Sequence, residues 1–200
     1  MKQLIHKLFF LCLLCALTAC TQQAGGKQAF DETLSVGAEE QAPLRVVHEP
    51  DSVGYLVRVG DMAPDFTIAL TEGREVTLSS LRGKVVLLQF TASWCGVCRK
   101  EMPHIESDIW QKHKENPEFF LIGVDRDEPL ETVIRFGYSV GVTYPLGLDP
   151  GADIFALYAE RTSGITRNVL IDRDGRIVML TRLFNEEEFQ ALTEKINSML

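Results

Sequence analysis

Two cysteines separated by two residues, Cys95 and Cys98, lie where an apolar run gives way to a helix-compatible segment. The run before them, residues 84–89, is apolar and β-branched, as in a strand buried on both faces. A thiol at a helix N-terminus is favoured as a thiolate, because unpaired N–H groups and the helix dipole stabilise negative charge there. The second thiol, within the same turn, is close enough to attack a mixed disulfide on the first. The pattern therefore predicts dithiol–disulfide exchange.

The chain begins with a pattern typical of an export signal. Two lysines precede an apolar run from Leu8 to Leu17, which is too short to span a bilayer comfortably as a permanent helix. The run ends in Leu-Thr-Ala-Cys, which resembles the bacterial lipobox, whose cysteine is lipid-modified and becomes the mature N-terminus. An ordinary export signal and an uncleaved anchor are the alternatives, and all three export the domain. We expect residues 1–19 to be a lipoprotein signal peptide and Cys20 to be the lipidation site.

The cysteine count favours a redox role for the pair. Of five cysteines, Cys12 and Cys15 lie inside the apolar signal, where cysteine behaves as a small hydrophobe, and Cys20 would carry lipid. Cys95 and Cys98 remain for the domain, so an oxidising compartment allows one intramolecular pair there. A chain of this size can bury a core without a disulfide, so a catalytic pair is favoured over a structural one.

The charge of the chain argues against two classes of partner. The formal net charge is −8, and removal of the signal with its two lysines takes it to −10. So acidic a protein is unsuited to nucleic acid and to electrostatic binding of anionic lipid. The start of residues 20–50 is typical of a flexible tether, and residues 51–200 have the length of one domain. The sequence leaves open whether residues 44–48 add an edge strand.

Strand and helix patterns alternate along the domain. Strand–helix–strand order implies parallel strands with right-handed crossovers, and hairpins begin and end the pattern, so we expect an α/β fold with a central mixed sheet flanked by helices. The predicted elements are a hairpin over residues 67–78, strands within 84–89, 119–125 and 143–149, helices from the cysteine pair to about 114, over 128–138 and over 152–159, a closing hairpin over 168–181, and a helix capped by Asn185.

Several stretches resemble a known family. Residues 63–67, Ala-Pro-Asp-Phe-Thr, together with residues 72–88, resemble the thioredoxin-like AhpC/TSA–redoxin superfamily. Residues 94–103, Trp-Cys-Gly-Val-Cys-Arg-Lys-Glu-Met-Pro, resemble its TlpA/ResA-like branch of exported thiol–disulfide oxidoreductases. The resemblance runs from about Gly60 to the C-terminus. It implies a thioredoxin-like fold with an N-terminal β-hairpin and a strand–helix insertion before the final hairpin.

The resemblance also implies roles for residues around the pair. Cys95 would be the exposed nucleophile, Cys98 the buried resolving thiol, and Trp94 would pack over the site. The redox-active disulfide would serve without a further cofactor or a metal. Independently of the family, Gly96 presents no side chain and lets a partner approach closely.

The sequence departs from the thioredoxin pattern at three positions. Val97 replaces the motif proline, which should shift the reduction potential, and Gln89 replaces a buried aspartate that relays protons. Glu101 is the nearest carboxylate and could substitute, although we favour a solvated or ion-paired helix glutamate. Thr166 stands where a cis-proline is usual. A cis bond before a non-proline residue costs about 2.5–4 kcal/mol, so we expect a trans Ile165–Thr166 bond.

Arg167 follows Thr166, and this order resembles the peroxiredoxin side of the superfamily, in which an arginine near the loop stabilises the attacking thiolate. Arg167 could lower the pKa of Cys95 in the same way. Exposure to solvent, or pairing with Asp172 or Asp174, is an equally favoured interpretation.

We therefore expect an exported, lipid-anchored enzyme of the bacterial cell envelope, facing the periplasm. It would reduce or exchange disulfides of exported proteins or cytochrome-type thiols, with electrons from a membrane thiol donor of the DsbD/CcdA type. The alternative is a thiol peroxidase with antioxidant activity that uses Cys95 and Cys98, but Leu88 and Ala92 occupy the offsets of the peroxiredoxin proline and threonine. A metal carrier is less favoured, because no histidine follows His113.

Overall fold

A strand without a single exposed residue, Val85–Thr91, runs through the middle of the sheet. The computed structural model describes residues 48–200. The strands are β1 (Thr67–Leu70), β2 (Glu75–Thr77), β3 (Val85–Thr91), β4 (Phe119–Arg126), β5 (Leu146–Asp149), β6 (Arg167–Ile171) and β7 (Ile177–Arg182). The α-helices are α1 (Gly96–His104), α2 (Gln111–His113), α3 (Leu130–Val140), α4 (Phe155–Tyr158) and α5 (Glu186–Met199). Short 3-10 turns cover Leu78–Leu81 and Pro150–Ala152.

The seven strands form one mixed sheet in the order β2-β1-β5-β4-β3-β6-β7. Strands β3, β4 and β5 are parallel to one another, whereas the flanking pairs are antiparallel. The fold is therefore the predicted thioredoxin-like α/β fold, with an N-terminal hairpin and a strand–helix insertion within the β4–α3–β5–α4 segment before the closing hairpin. Because parallel strands end at the same edge, the loops after β3 and β4 meet there.

The two faces of β3 serve different purposes. Phe90 packs edge-on against Phe155 of α4, with ring centroids 5.4 Å apart, and lies 5.5 Å from the ring of Tyr158. Gln89 points to the opposite face, where its side chain meets Glu101 of α1. Side chains alternate along a strand, so one face builds an aromatic core and the other places a polar group behind α1.

The helix after the cysteine pair changes its winding at a proline. Pro103 lies inside α1, and the chain continues as a π-helix over Ile105–Trp110 before α2. Proline has no N–H to donate and its ring crowds the preceding turn, so a change of winding near Pro103 is expected. The helical segment predicted to reach about residue 114 is confirmed, since α2 ends at His113.

The predicted signal peptide, Cys20, and nearly all of the tether and possible edge strand lie outside the described residues. Within residues 48–200, no helix is both long enough and apolar enough to cross a membrane.

Candidate active site

The two cysteines form a disulfide at the start of α1, with their Cα atoms 5.3 Å apart. Cys95 is the N-cap residue, and its extended backbone lets its sulfur accept a hydrogen bond from the backbone N–H of Cys98 at 3.1 Å. That N–H is one of those that a helix leaves without an internal acceptor. The same donor would stabilise a thiolate on Cys95 in the reduced protein.

Access to the pair is unequal. Cys95 is 7% exposed and Cys98 is fully buried, so an external disulfide reaches Cys95 first. Trp94 is 62% exposed, and the Arg126 guanidinium lies 6.0 Å from its ring centroid. A Cβ added to Gly96 would meet nothing within 4 Å. The surface beside the nucleophile is therefore open.

Thr166 lies against both sulfurs. Its hydroxyl oxygen is 3.2 Å from Cys95 Sγ and 3.3 Å from Cys98 Sγ. Its carbonyl oxygen accepts the N–H of Leu183, which fixes the loop before β6. A hydroxyl can donate one hydrogen bond, so in the reduced protein Thr166 can serve whichever sulfur is ionised.

Glu101 is buried, at 1% exposure, so the favoured interpretation of a solvated or ion-paired glutamate is wrong. Its Oε1 accepts a hydrogen bond from Asn168 Nδ2 at 2.7 Å, and its Oε2 accepts one from Gln89 Nε2 at 3.3 Å. Tyr144 donates to Gln89 Oε1 at 2.7 Å, and Asn168 also donates to Thr181 Oγ1 at 2.9 Å. These five side chains form one hydrogen-bonded row across the sheet.

The environment of Glu101 changes its protonation. Its pKa is raised to about 7, because the effect of burial, with a smaller contribution from the charge of Glu188, outweighs the lowering by the hydrogen bonds from Asn168 and Gln89. A carboxyl with this pKa gains and loses a proton near neutral pH. Glu101 lies one helical turn after Cys98, on the same side of α1. The proton-relay position left empty by Gln89 therefore has a titratable group beside it.

Arg167 is also buried, and both interpretations that leave it at the surface are wrong. Its guanidinium donates to the carbonyl oxygens of Val53 and Gly164, and lies 4.3 Å from the ring centroid of Tyr55. Neighbours on a strand point to opposite faces, so with Thr166 against the sulfurs, Arg167 is turned away from them. Among residues 48–200, none of its hydrogen bonds reaches Cys95.

The sequence analysis did not identify a second group of polar residues beside the pair. Glu128 accepts hydrogen bonds from the backbone N–H and the hydroxyl of Ser93, two residues before Cys95. Asp125, at the end of β4, is fully buried. A sequence signal existed for Asp125, because a carboxylate that closes the apolar run Phe119–Val124 is unusual in a buried strand. Asn168 gave no comparable signal.

In the part of the chain that the structure describes, no group of three or more His, Cys, Asp or Glu side chains is arranged to hold a metal ion.

Comparison with known proteins places these features in a family context. The family model described as Redoxin matches residues 58–196. Thiol-disulfide oxidoreductase ResA of Bacillus anthracis is 34% identical over 122 residues, covering 61% of this chain and 68% of the relative. The protein of the same name from Geobacillus thermodenitrificans is 31% identical over 141 residues, covering 70% and 79%.

Solved structures give the same picture. A solution structure of a candidate protein disulfide isomerase from Bacteroides thetaiotaomicron has 75% sequence identity and a TM-score of 0.73, covering 75% of this chain and 94% of its own. A crystal structure of a candidate thiol:disulfide interchange protein DsbE from Chlorobium tepidum has 30% identity and a TM-score of 0.63, covering 72% and 98%. The fold thus agrees with the sequence matches.

Proposed function

Because this chain belongs to the Redoxin family, in its thioredoxin-fold TlpA/ResA-like branch, and is a thiol–disulfide oxidoreductase, we propose that it reduces or exchanges disulfides of proteins outside the cytoplasm. The observation that carries the proposal is the disulfide at the N-terminus of α1, with Cys95 the more accessible sulfur. It joins residues only three apart, so it closes a loop too short to add much stability. Redox chemistry is the use that remains.

The reaction follows from the order of access. In the reduced protein, the Cys95 thiolate attacks one sulfur of a substrate disulfide, whose S–S bond breaks and releases the first substrate thiolate. The Cys98 thiolate then attacks Cys95 in the mixed disulfide and releases the second substrate thiolate. Two electrons pass from the dithiol to the substrate, and two protons end on the substrate thiols. The Cys95–Cys98 disulfide remains on the enzyme.

Three neighbours are assigned supporting roles. Glu101, with a pKa raised to about 7 by burial, accepts the proton that Cys98 loses before its attack. The Thr166 hydroxyl, 3.2 Å from Cys95 Sγ, donates a hydrogen bond to the thiolate. Gly96 leaves room for the substrate backbone, since a Cβ there would face open space.

The location and partners extend the proposal. The lipobox-like Leu-Thr-Ala-Cys sequence supports a lipid anchor at Cys20, and residues 20–50 would tether the domain to the membrane. A membrane thiol donor of the DsbD/CcdA type would return the Cys95–Cys98 pair to its reduced form. Oxidised exported proteins or cytochrome-type thiols would be the substrates.

Disulfide reduction is expected to exceed peroxide consumption by at least about tenfold, because Arg167, the candidate for the arginine that stabilises the attacking thiolate in a peroxidase, is turned away from Cys95. The measurement compares initial rates of insulin-type disulfide reduction and of hydrogen peroxide loss, with one thiol donor at equal concentrations. Comparable rates would reverse the assignment in favour of a peroxidase.

Replacing Cys20 with alanine in the full-length chain is expected to abolish the incorporation of fatty acid into the protein, since the Cys20 thiol is the group that would be lipid-modified. Metabolic labelling of cells that express the two forms with a fatty acid measures this change. Cys15→Ala, inside the apolar signal, is the matched control and should still be labelled. Labelling of the Cys20→Ala protein equal to that of the wild type would contradict lipidation at this position.

A further inference from the structure

The loop that carries the nucleophile is held by a single carboxylate. Glu128 Oε2 accepts the backbone N–H of Ser93 at 2.5 Å, and Glu128 Oε1 accepts the Ser93 hydroxyl at 2.6 Å. The third polar group of Ser93, its carbonyl oxygen, accepts Arg99 Nε at 2.8 Å. Ser93 stands two residues before Cys95, so these bonds set where the nucleophile lies.

Behind Glu128 lies a carboxyl that lacks a donor. Asp125 is paired with Thr91 in the sheet register and is fully buried. Within residues 48–200, neither of its side-chain oxygens receives a hydrogen bond. The charged side chains that face it, Glu128 and Asp149, are carboxylates too and offer it no donor. Ionised carboxylates in this position would repel, and an unpaired buried charge is strongly destabilising.

One proton resolves the conflict. A protonated Asp125 can donate a hydrogen bond to Glu128, which then remains an anion that accepts both donors of Ser93. We propose that Asp125 and Glu128 share one proton and act together as a positioning pair that holds Ser93, and through it Cys95, for thiol exchange. The catalytic half of this inference rests on the proposed role of Cys95, whereas the proton-sharing half does not.

The charges around the pair agree with this arrangement. The pKa of Asp125 is raised to about 8 by burial first, then by the charge of Glu128 and its hydrogen bond, and last by the charge of Asp149 on β5. The positive groups near the loop are Arg99 of α1 and Arg126 of β4. Arg99 donates to the carbonyl oxygen of Ser93, and Arg126 donates to the carbonyl oxygens of residues 161 and 163. The pair is therefore intact below about pH 8 and loses its proton above it.

The test follows protons directly in the full chain. In the wild type, the side-chain carboxyl carbon of Asp125 is expected to titrate near pH 8 by NMR, with the Ser93 amide proton shifting at the same midpoint. Asp125→Asn keeps a permanent donor toward Glu128, so the Ser93 amide shift should not move over this range. Asp127→Asn removes an exposed carboxyl two residues away, and this control should retain the wild-type shift of the Ser93 amide near pH 8.

Two NMR results would overturn the proposal. One is titration of Asp125 in the ordinary aspartate range, which the wild type alone reveals whether or not a variant folds. The other is an Asp125→Asn protein whose Ser93 amide still moves as the wild type does.

The kinetic test uses reduced protein and a small disulfide, with rates divided by the measured thiolate fraction of Cys95. The ratio of the Asp125→Asn rate to the wild-type rate is expected to rise from about one below pH 7 to roughly threefold above pH 9, because only the wild type then loses the hold on Ser93. A ratio that does not change with pH would overturn the positioning role. Loss of exchange in every form with unchanged NMR midpoints would overturn the proposed function and leave the shared proton standing.

Discussion

Replacing Cys95 with serine is expected to lower disulfide reduction by at least about a thousandfold while leaving the fold intact. Serine cannot form the mixed disulfide, and Cys98 is fully buried and cannot take over the attack. The loop that the disulfide closes is too short for its loss to change stability much. Insulin-type reduction assays measure the activity, and circular dichroism with urea unfolding measures the fold.

Cys98→Ser is the matched control, because it removes the same bond and the same atom one turn away. This variant should retain the attack by Cys95 but accumulate the mixed disulfide, which non-reducing mass spectrometry detects. Trapped substrates would also identify physiological partners. Activity retained in the Cys95→Ser protein, or trapping by Cys95→Ser rather than Cys98→Ser, would contradict the assigned order of attack.

Replacing Glu101 with glutamine is expected to remove a pH-dependent loss of stability. Burial raises the pKa of Glu101 from 4.5 to about 7, so the folded state holds the proton more tightly than the unfolded state. The wild type is therefore most stable below pH 4.5 with respect to this group, and it loses about 3 kcal/mol as the pH rises to 7. Glutamine does not ionise and should be spared this loss.

The measurement is the free energy of unfolding in urea at pH 5 and pH 8. Glutamine retains an acceptor for Asn168, and the Gln89 amide can turn over because the Tyr144 hydroxyl can donate or accept. Glu194→Gln, on the exposed side of α5, controls for the loss of one carboxylate. A Glu101→Gln protein with the wild-type pH dependence would show that folding does not raise the pKa of Glu101.

Sequence patterns predicted the strands, helices and hairpins of the protein, because these elements are specified by residues close together in the chain. The apolar run of β3, the turn-forming residues of both hairpins and the spacing of Cys95 and Cys98 each specify structure within a few neighbours. Strand alternation also bears on Arg167, whose side chain cannot share a face with Thr166 if both lie in or beside the same strand.

The surroundings of the cysteine pair were less accessible because they depend on distant segments. Asn168 lies 67 residues from Glu101, and Glu128 lies 35 residues from Ser93. Helical periodicity cannot tell which side of a sheet a helix covers, so it could not show that Glu101 faces Gln89 rather than solvent. The face of the sheet that α1 covers is set by the handedness of the β3–α1–β4 crossover, which depends on the whole fold.

The hydrogen-bonded row from Tyr144 to Thr181 has a consequence for how the core can change over time. Within the row, Glu101 accepts hydrogen bonds from Gln89 and Asn168, so an aliphatic replacement of Glu101 alone leaves two amide donors without their acceptor, whereas replacement of the whole row removes donors and acceptors together. Single aliphatic substitutions in this row therefore destabilise the protein, although a core in which the whole row is aliphatic would be stable. Stepwise mutation therefore does not readily replace the buried Glu101 by an aliphatic residue. The carboxyl group that we propose accepts the proton of Cys98 is retained for the same reason.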